Sequence, residues 1–561
     1  EMCIRDSTQI GSDAMQFRRH LLILISTIFL QIVACVSNST TSPTSSNRVN
    51  GASSSLPSVK SSASSSAYQP LSSSNSTTNS AVPITSSAEN SSDSKSSAYN
   101  VSALRELLGS NETEKFEIPT RLPNISVEIP PSWGGYQPVS QRPNETRQIY
   151  FWMFPATEKV GHDDLVIFFN GGPGCSSLSG VLGEQGPVKL NNVTGKAELN
   201  KYSWTNLTNM LWVDQPVGTG FSHGEAKNQS MIEIAKEFNG FLISLYRTFP
   251  KLHGKRLWLA GESYAGKFIP FIADQIYKES DQNKKAGINL QGINLSDAFF
   301  MNDLVGKELP AMQFARQHYK EMNITEKDMK TLEKKAKKIG IDKYIDTHLN
   351  YPPKGPLPIP KRFNKSDSVY SAFKQMAKKA NPCFSPFYVI SSAPCPLNPM
   401  GQNITTEKTY KNNYFNLNPS VKPLIHADNV TYVQCSQAKG FKIMQKSKTD
   451  FPLHTVLPSV IEKSNRTIIL HGMLDYIMLP NGSALAIQNM TWGGKQGFQK
   501  PPTQKVMVDN EETGTYQSER KLTFITVNGA SHMVAAYKPK PSYKIIQYML
   551  GQISEDQLLK S

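Results

Sequence analysis

Between Arg256 and Pro270 the chain reads Leu-Trp-Leu-Ala-Gly-Glu-Ser-Tyr-Ala-Gly-Lys-Phe-Ile. An apolar, strand-like run passes directly into an amphipathic helical one, with Gly261, Ser263 and Ala265 at the junction. A turn that abrupt tolerates only small residues two before and two after its apex, a variant of the pattern Gly-x-Ser-x-Gly. At such a turn the Ser263 side chain stands exposed at the carboxyl edge of a sheet, beside a helix N-terminus that favours negative charge. Serine also caps ordinary helices, and the segment alone does not choose between nucleophile and cap.

The same alternation recurs along the chain. Short aromatic and β-branched runs at 149–154, 165–169, 211–213, 257–259, 468–470 and 522–527 suit strands covered on both faces. Helical patterns lie between them, at 231–246, 266–278, 481–488 and 542–550. Strands alternating with helices imply an α/β domain, with a mostly parallel central sheet flanked by helices. Residues of about 300 to 460 break this rhythm, being Lys- and Pro-rich. They read as a largely helical cap inserted over the end of the sheet, and no internal repeat is evident.

Composition matters at the N-terminus. A basic stretch from Met15 to His20 precedes a run of 13 largely apolar residues, Leu21 to Val33, then Ala34, Cys35 and Ser37. That is the layout of a signal peptide over 15–36, and the run is short of the roughly 20 residues that span a bilayer. An uncleaved anchor is the alternative. Residues 1–14 lack targeting character and are expected to lie outside the native protein. Residues 37–100 are dominated by Ser, Thr, Asn and Ala. So few apolar groups cannot offset chain entropy, so a disordered stalk or pro-segment is expected there, and a catalytic domain over 101–555.

The net charge of +15 comes largely from Lys-rich stretches such as 330–338 and 374–379, interspersed with apolar residues as on a solvated helix face. Without aromatic-basic interleaving, no nucleic-acid partner is expected. Beyond Cys3 and Cys35, four cysteines remain: Cys175, Cys383, Cys395 and Cys435. In a secreted chain these suggest two disulfides, with three connectivities open. No His/Cys spacing suits zinc, so neither metal nor cofactor is expected. Well over a dozen Asn-x-Ser/Thr sites, among them Asn124, Asn206, Asn323, Asn403, Asn465 and Asn489, fit N-linked glycans.

Partners for Ser263 follow in order. Ile468-Ile-Leu-His-Gly-Met-Leu-Asp475 supplies a strand, a glycine and an acid. Leu522–Val527 followed by Asn528-Gly-Ala-Ser-His532 supplies a strand, a turn and a base. The sequence Ser263, Asp475, His532 has the chain order of a strand-borne triad. In it His532 takes the serine proton while Asp475 fixes the tautomer and stabilises the imidazolium. His471 is the main rival base, but it ends the same strand that leads to Asp475. Early in the fold, Asn170-Gly-Gly-Pro-Gly-Cys-Ser-Ser177 follows a strand, and its glycines let backbone N–H groups approach a ligand closely.

These segments, with Trp212-Val-Asp-Gln-Pro-Val-Gly-Thr-Gly-Phe-Ser222 and Gly529-Ala-Ser-His-Met533, resemble the serine carboxypeptidase family from about 120 to about 550. The resemblance is greatest to secreted or vacuolar fungal members. It implies an α/β-hydrolase fold that releases single amino acids from peptide C-termini, typically at acidic pH. It also implies an oxyanion hole from the N–H groups of Gly172 and Tyr264. Asn170, the Gly171 N–H and Glu262 would hold the substrate's carboxylate. A neutral Glu262 can donate to that carboxylate, and a low-dielectric cleft favours the neutral form.

The chain departs from the family in places. Met478 stands where many members have a free cysteine, and Gly292-Ile-Asn-Leu-Ser-Asp-Ala-Phe299 lacks the usual Gly-Asn-Gly. The short loop between Cys383 and Cys395 suggests that they pair, leaving Cys175 with Cys435. An esterase, an acyltransferase or a silent wall glycoprotein are the other readings. Secretion is expected, ending outside the cell or in a vacuole.

Overall fold

The computed structural model describes residues 99–560 apart from 191–195, 228, 361–364, 392–394, 396–412 and 447–450. The expected leader, the Ser/Thr-rich stretch before Tyr99, Cys3, Cys35 and Asn403 lie outside the described residues.

Eleven strands form one sheet. They are β1 (Glu117–Ile118), β2 (Ser132–Pro138), β3 (Gln148–Phe154), β4 (Asp164–Phe169), β5 (Asn209–Val213), β6 (Arg256–Glu262), β7 (Asn289–Ser296), β8 (Arg466–Gly472), β9 (Gln504–Val508), β10 (Glu511–Glu519) and β11 (Leu522–Val527). Their order across the sheet is 1-2-3-5-4-6-7-8-11-10-9. From β5 to β11 all neighbours run parallel, while β1–β3 and β9–β10 add antiparallel edges. Each apolar run divides its side chains between two cores. Leu165, Ile167 and Phe169 of β4 point to one face, and Val166 and Phe168 to the other. This explains why the central strands read as continuous apolar runs: both faces are covered.

One face is covered by α1 (Met231–Thr248), α2 (Ala265–Lys278) and α3 (Pro480–Gln488). The other is covered by the short helix Leu178–Gly183 and by α4 (Pro539–Leu550). α1 begins where Ser230 and Glu233 cap reciprocally, the Ser230 N–H donating to Glu233 Oε2 at 2.7 Å. Strands β1, β2, β7, β9 and β10 did not stand out in the sequence. Buried Asn294 and Ser296 interrupt the apolar pattern of β7, and β10 (Glu-Glu-Thr-Gly-Thr-Tyr-Gln-Ser-Glu) is polar because it lies near an edge.

Between β7 and β8 the described residues hold no strand of the sheet; helices such as Ala311–His318, Glu326–Ile339, Val369–Ala380 and Lys439–Lys446 fill the interval. In Glu326–Ile339 the buried positions are Met329, Leu332, Ala336 and Ile339, and the lysines face outward. Cys175 is bonded to Cys435, tying the glycine loop after β4 to this region, and Cys383 is bonded to Cys395.

Asp214, just past β5, holds the glycine loop from below. Its Oδ1 accepts from Ser176 Oγ (2.5 Å) and Ser177 N (3.0 Å), and its Oδ2 from Phe221 N (2.9 Å). Burial pushes this carboxyl up to about 6 from 3.8, against those hydrogen bonds. Asp214→Ala should cost about 2–4 kcal/mol of stability through three lost bonds to buried donors. Because the folded value is raised, the wild-type contribution is full below the unfolded value of 3.8 and is lost as pH rises through about 6. Denaturant unfolding should therefore show a deficit that shrinks between about pH 4 and about pH 7; a deficit that grows over that range would contradict the assignment.

Candidate active site

The turn after β6 is as tight as its sequence implied. Ser263 has φ +60°, a strained value for a non-glycine residue. Its N–H donates to Ser296 O (3.1 Å), and its carbonyl accepts from Gly266 N (3.0 Å) and Phe299 N (2.8 Å). A Cβ at Gly261 would sit 2.5 Å from Phe169 O and 2.9 Å from the Ala265 Cβ, which is why both positions are small. The cap position of α2 is Tyr264, so Ser263 is not the capping residue, and its side chain is partly exposed.

Register brings the other segments to the same edge. β6 ends with Glu262 opposite Ser296 of β7, β7 pairs Ser296 with Leu470 of β8, and β8 pairs Gly472 with Val527 of β11. The loops after β8 and β11 therefore emerge beside the Ser263 turn. There the His532 Nδ1–H donates to Asp475 Oδ2 at 2.9 Å, with both side chains buried. Asp475 Oδ1 accepts from Ile477 N at 2.7 Å. Burial opposes the charge on Asp475, yet His532 and His471 together hold its carboxyl below the usual range. His532 Nε2 is buried and makes no hydrogen bond. His471 differs: Nε2 donates to Met478 O (2.8 Å) and Nδ1 meets Ser483 Oγ (2.9 Å), so both ring nitrogens are occupied.

The glycine loop abuts the turn. A Cβ at Gly171 would lie 2.3 Å from Tyr264 N and 2.8 Å from the Ser263 Cβ, a space that admits only glycine. Gly172 has φ +107°. Asn170 Nδ2 donates to Glu262 Oε1 at 2.7 Å, and Asn170 Oδ1 accepts from Ser179 Oγ at 3.1 Å, with all three residues buried. Burial, followed by the neighbouring acidic side chains of Glu184 and Asp297, pushes the Glu262 carboxyl well above its ordinary range. Asn170, Gly171, Gly172, Glu262, Ser263 and Tyr264 are thus in one place, and Asp475 and His532 form a second pair on the same edge of the sheet.

Three residues near these groups escaped the sequence reading. Glu184, in Gly183-Glu-Gln-Gly-Pro187, is buried near Glu262, and burial raises its carboxyl. A carboxylate set among glycines after an apolar stretch was the only signal. Asp297, past β7, is buried next to Asp475. Phe387, inside the Cys383–Cys395 loop, sets its ring 5.3 Å from that of His532, and its carbonyl accepts the His532 N–H (3.2 Å). Among the described residues, the one group with metal-ligand character is Asp297, His471 and Asp475, whose ligand atoms lie within 4.8 Å of one another. The nitrogens of His471 and the Asp475 carboxylate are already bonded within the protein, so the set does not fit a metal.

The model of the family described as serine carboxypeptidase matches residues 125–552. A probable serine carboxypeptidase of Arthroderma benhamiae is 36% identical over 471 residues, covering 79% of this chain and 88% of that relative. Serine-type carboxypeptidase F of Aspergillus niger is 32% identical over 476 residues, with the same shares covered. Among solved structures, KEX1(DELTA)P, a prohormone-processing carboxypeptidase from Saccharomyces cerevisiae, superposes with a TM-score of 0.60. It is 23% identical, and the match spans 79% of this chain and 98% of that one, which establishes a shared α/β-hydrolase fold. The chain belongs to the serine carboxypeptidase family.

Proposed function

We propose that this serine carboxypeptidase releases single amino acids from peptide and protein C-termini through an acyl-enzyme on Ser263. In this reading His532 Nε2 takes the proton from Ser263 Oγ as the oxygen attacks the last peptide carbonyl. Asp475 holds the Nδ1–H tautomer and stabilises the imidazolium. The N–H groups of Gly172 and Tyr264 receive the developing oxyanion. His532 then protonates the departing amine, and water attacks the ester in a second passage through the same groups.

The observation that carries the exopeptidase reading is the buried Asn170–Glu262 hydrogen bond directly beside the nucleophile. An esterase has no need of a carboxyl there, and a charged one would repel a peptide C-terminus. A neutral Glu262, with Asn170 and the Gly171 N–H, can hydrogen-bond that carboxylate. The Glu184 carboxyl helps keep Glu262 neutral. The N-terminal leader supports entry into a secretory route, to the outside or a vacuole, and the exposed acceptors Asn124, Asn323 and Asn465 support N-glycosylation. Among the described residues no helix is long and apolar enough to cross a membrane.

Wild-type protein should release C-terminal amino acids from N-blocked dipeptides at about pH 5, and Ser263→Ala should lower kcat by about 10⁴-fold or more. Ester hydrolysis without amino-acid release would instead indicate an esterase. A second expectation follows from Glu262, whose raised value keeps it protonated through the acidic range. Peptide binding is strong below that value and weakens as pH rises through it. KM for a dipeptide should therefore climb with pH while KM for the matching ester, which lacks a free carboxylate, stays level. Parallel profiles for the two substrates would remove Glu262 from carboxylate binding.

A further inference from the structure

Behind the His532–Asp475 pair lies a third carboxyl that the reaction above does not use. Asp297 follows β7 with φ +46°, and its N–H donates to Leu470 O at 2.8 Å. Its side chain is fully buried, and Oδ1 accepts the Gly472 N–H at 2.8 Å. Oδ2 is also buried and has no hydrogen-bond donor. Asp297 and Asp475 each place an oxygen within 4.8 Å of the other.

Two carboxyl groups this close, both out of water, compete for a single negative charge. His471 Nε2 lies 3.6 Å from each of them, beyond hydrogen-bond reach, and donates to Met478 O; its stabilising influence, like that of His532, falls on the charge of Asp475. The two acids are also unequally supported. Asp475 has the His532 Nδ1–H and the Ile477 N–H, while Asp297 has one backbone N–H. The proton therefore belongs on Asp297.

We propose that Asp297 is a positioning residue, a neutral carboxylic acid that directs its Oδ2–H at the Asp475 carboxylate and so holds Asp475 against His532. The proposal rests on Asp475 being the acid that orients His532. Burial, then the charge of Asp475, push the Asp297 carboxyl well above its usual range, against the pull of the Gly472 N–H. The ionisable groups facing it are Asp475 and His471 from β8 and its loop, and Glu262 from β6. His532 and Tyr370 in turn face Asp475. An extra anion at Asp297 would raise the affinity of His532 for its proton and spoil it as a base near pH 5. A neutral donor orients the carboxylate without adding charge. The segment that lacks the family's Gly-Asn-Gly is the one that carries this residue.

The test uses the full-length protein with Asp297→Asn and Asp297→Ala. Asparagine keeps the acceptor for Gly472 N and supplies an N–H in place of the O–H. Its kcat should stay within about threefold of wild type, and the acidic limb of kcat/KM should not move. Alanine removes this donor from Asp475, so kcat should fall by about 10-fold or more with KM unchanged. If Asp297 is instead charged in the wild type, Asn removes an anion and the acidic limb moves down by about half a pH unit or more. That shift, or an alanine variant equal to wild type, would overturn the proposal. Infrared difference spectra of wild type against Asp297→Asn read the proton directly, independent of turnover and of whether the alanine variant folds. A protonated-carboxyl band at neutral pH that is lost in Asp297→Asn supports the assignment, and its absence refutes it. Failure of the peptidase reading itself would appear elsewhere, as dipeptide hydrolysis unaffected by Ser263→Ala.

Discussion

Residue 171 approaches the 262–264 turn so closely that no side chain fits between them, and the rest of the site is arranged around that contact. It exists because β4 and β6 are hydrogen-bonded neighbours in parallel register, Phe169 opposite Gly261. One residue further on, Asn170 and Glu262 must emerge side by side, and their 2.7 Å hydrogen bond follows. The next residues bring the Gly171–Gly172 backbone against Ser263 and Tyr264. A shift of register by one residue would turn every side chain of β4 to the other face and dissolve both the core and the site. The anchors beneath the loop, Asp214 and the Cys175–Cys435 bond, act on this same contact.

Buried carboxyls dominate the electrostatics. Glu262 lies near Glu184 and Asp475 near Asp297, and the members of each pair are placed unequally. Neighbouring acids in a dry site divide into one that keeps its proton and one that does not. At Asp475 the charged form is kept by His532. At Glu262 burial and like charge favour the neutral form, the state in which a carboxyl can donate to an anionic ligand. Both results suit chemistry carried out in acid.

The region between β7 and β8 supplies the walls. Phe441 of the helix Lys439–Lys446 packs where a Gly174 side chain would be, and Met444 O of that helix accepts the Tyr264 hydroxyl (2.9 Å). Pro386 O accepts the Tyr476 N–H (3.1 Å), and Phe387 O accepts the His532 N–H, so the Cys383–Cys395 loop touches the segments bearing both Asp475 and His532. These contacts brace the serine turn and the His532 segment from outside the sheet.

The features readable from the residues alone are local: apolar runs long enough for buried strands, the small residues that a sharp turn requires, and a serine, an acid and a histidine each placed just beyond a strand. Such features obey steric and periodic rules that act over a few neighbours, so Ser263, Asp475, His532 and the 170–174 loop were all legible. The polar strands β7 and β10 were not, because their place in the sheet comes from the strands beside them rather than from their own pattern. Tertiary structure alone decided that Glu184 lies near Glu262 and that Asp297 lies near Asp475. It also decided that both nitrogens of His471 are spent on Met478 O and Ser483 while His532 Nε2 is left without a partner. Ionisation and hydrogen bonding in a buried site depend on which groups meet across distant segments, and that information exists only once the sheet has set their register.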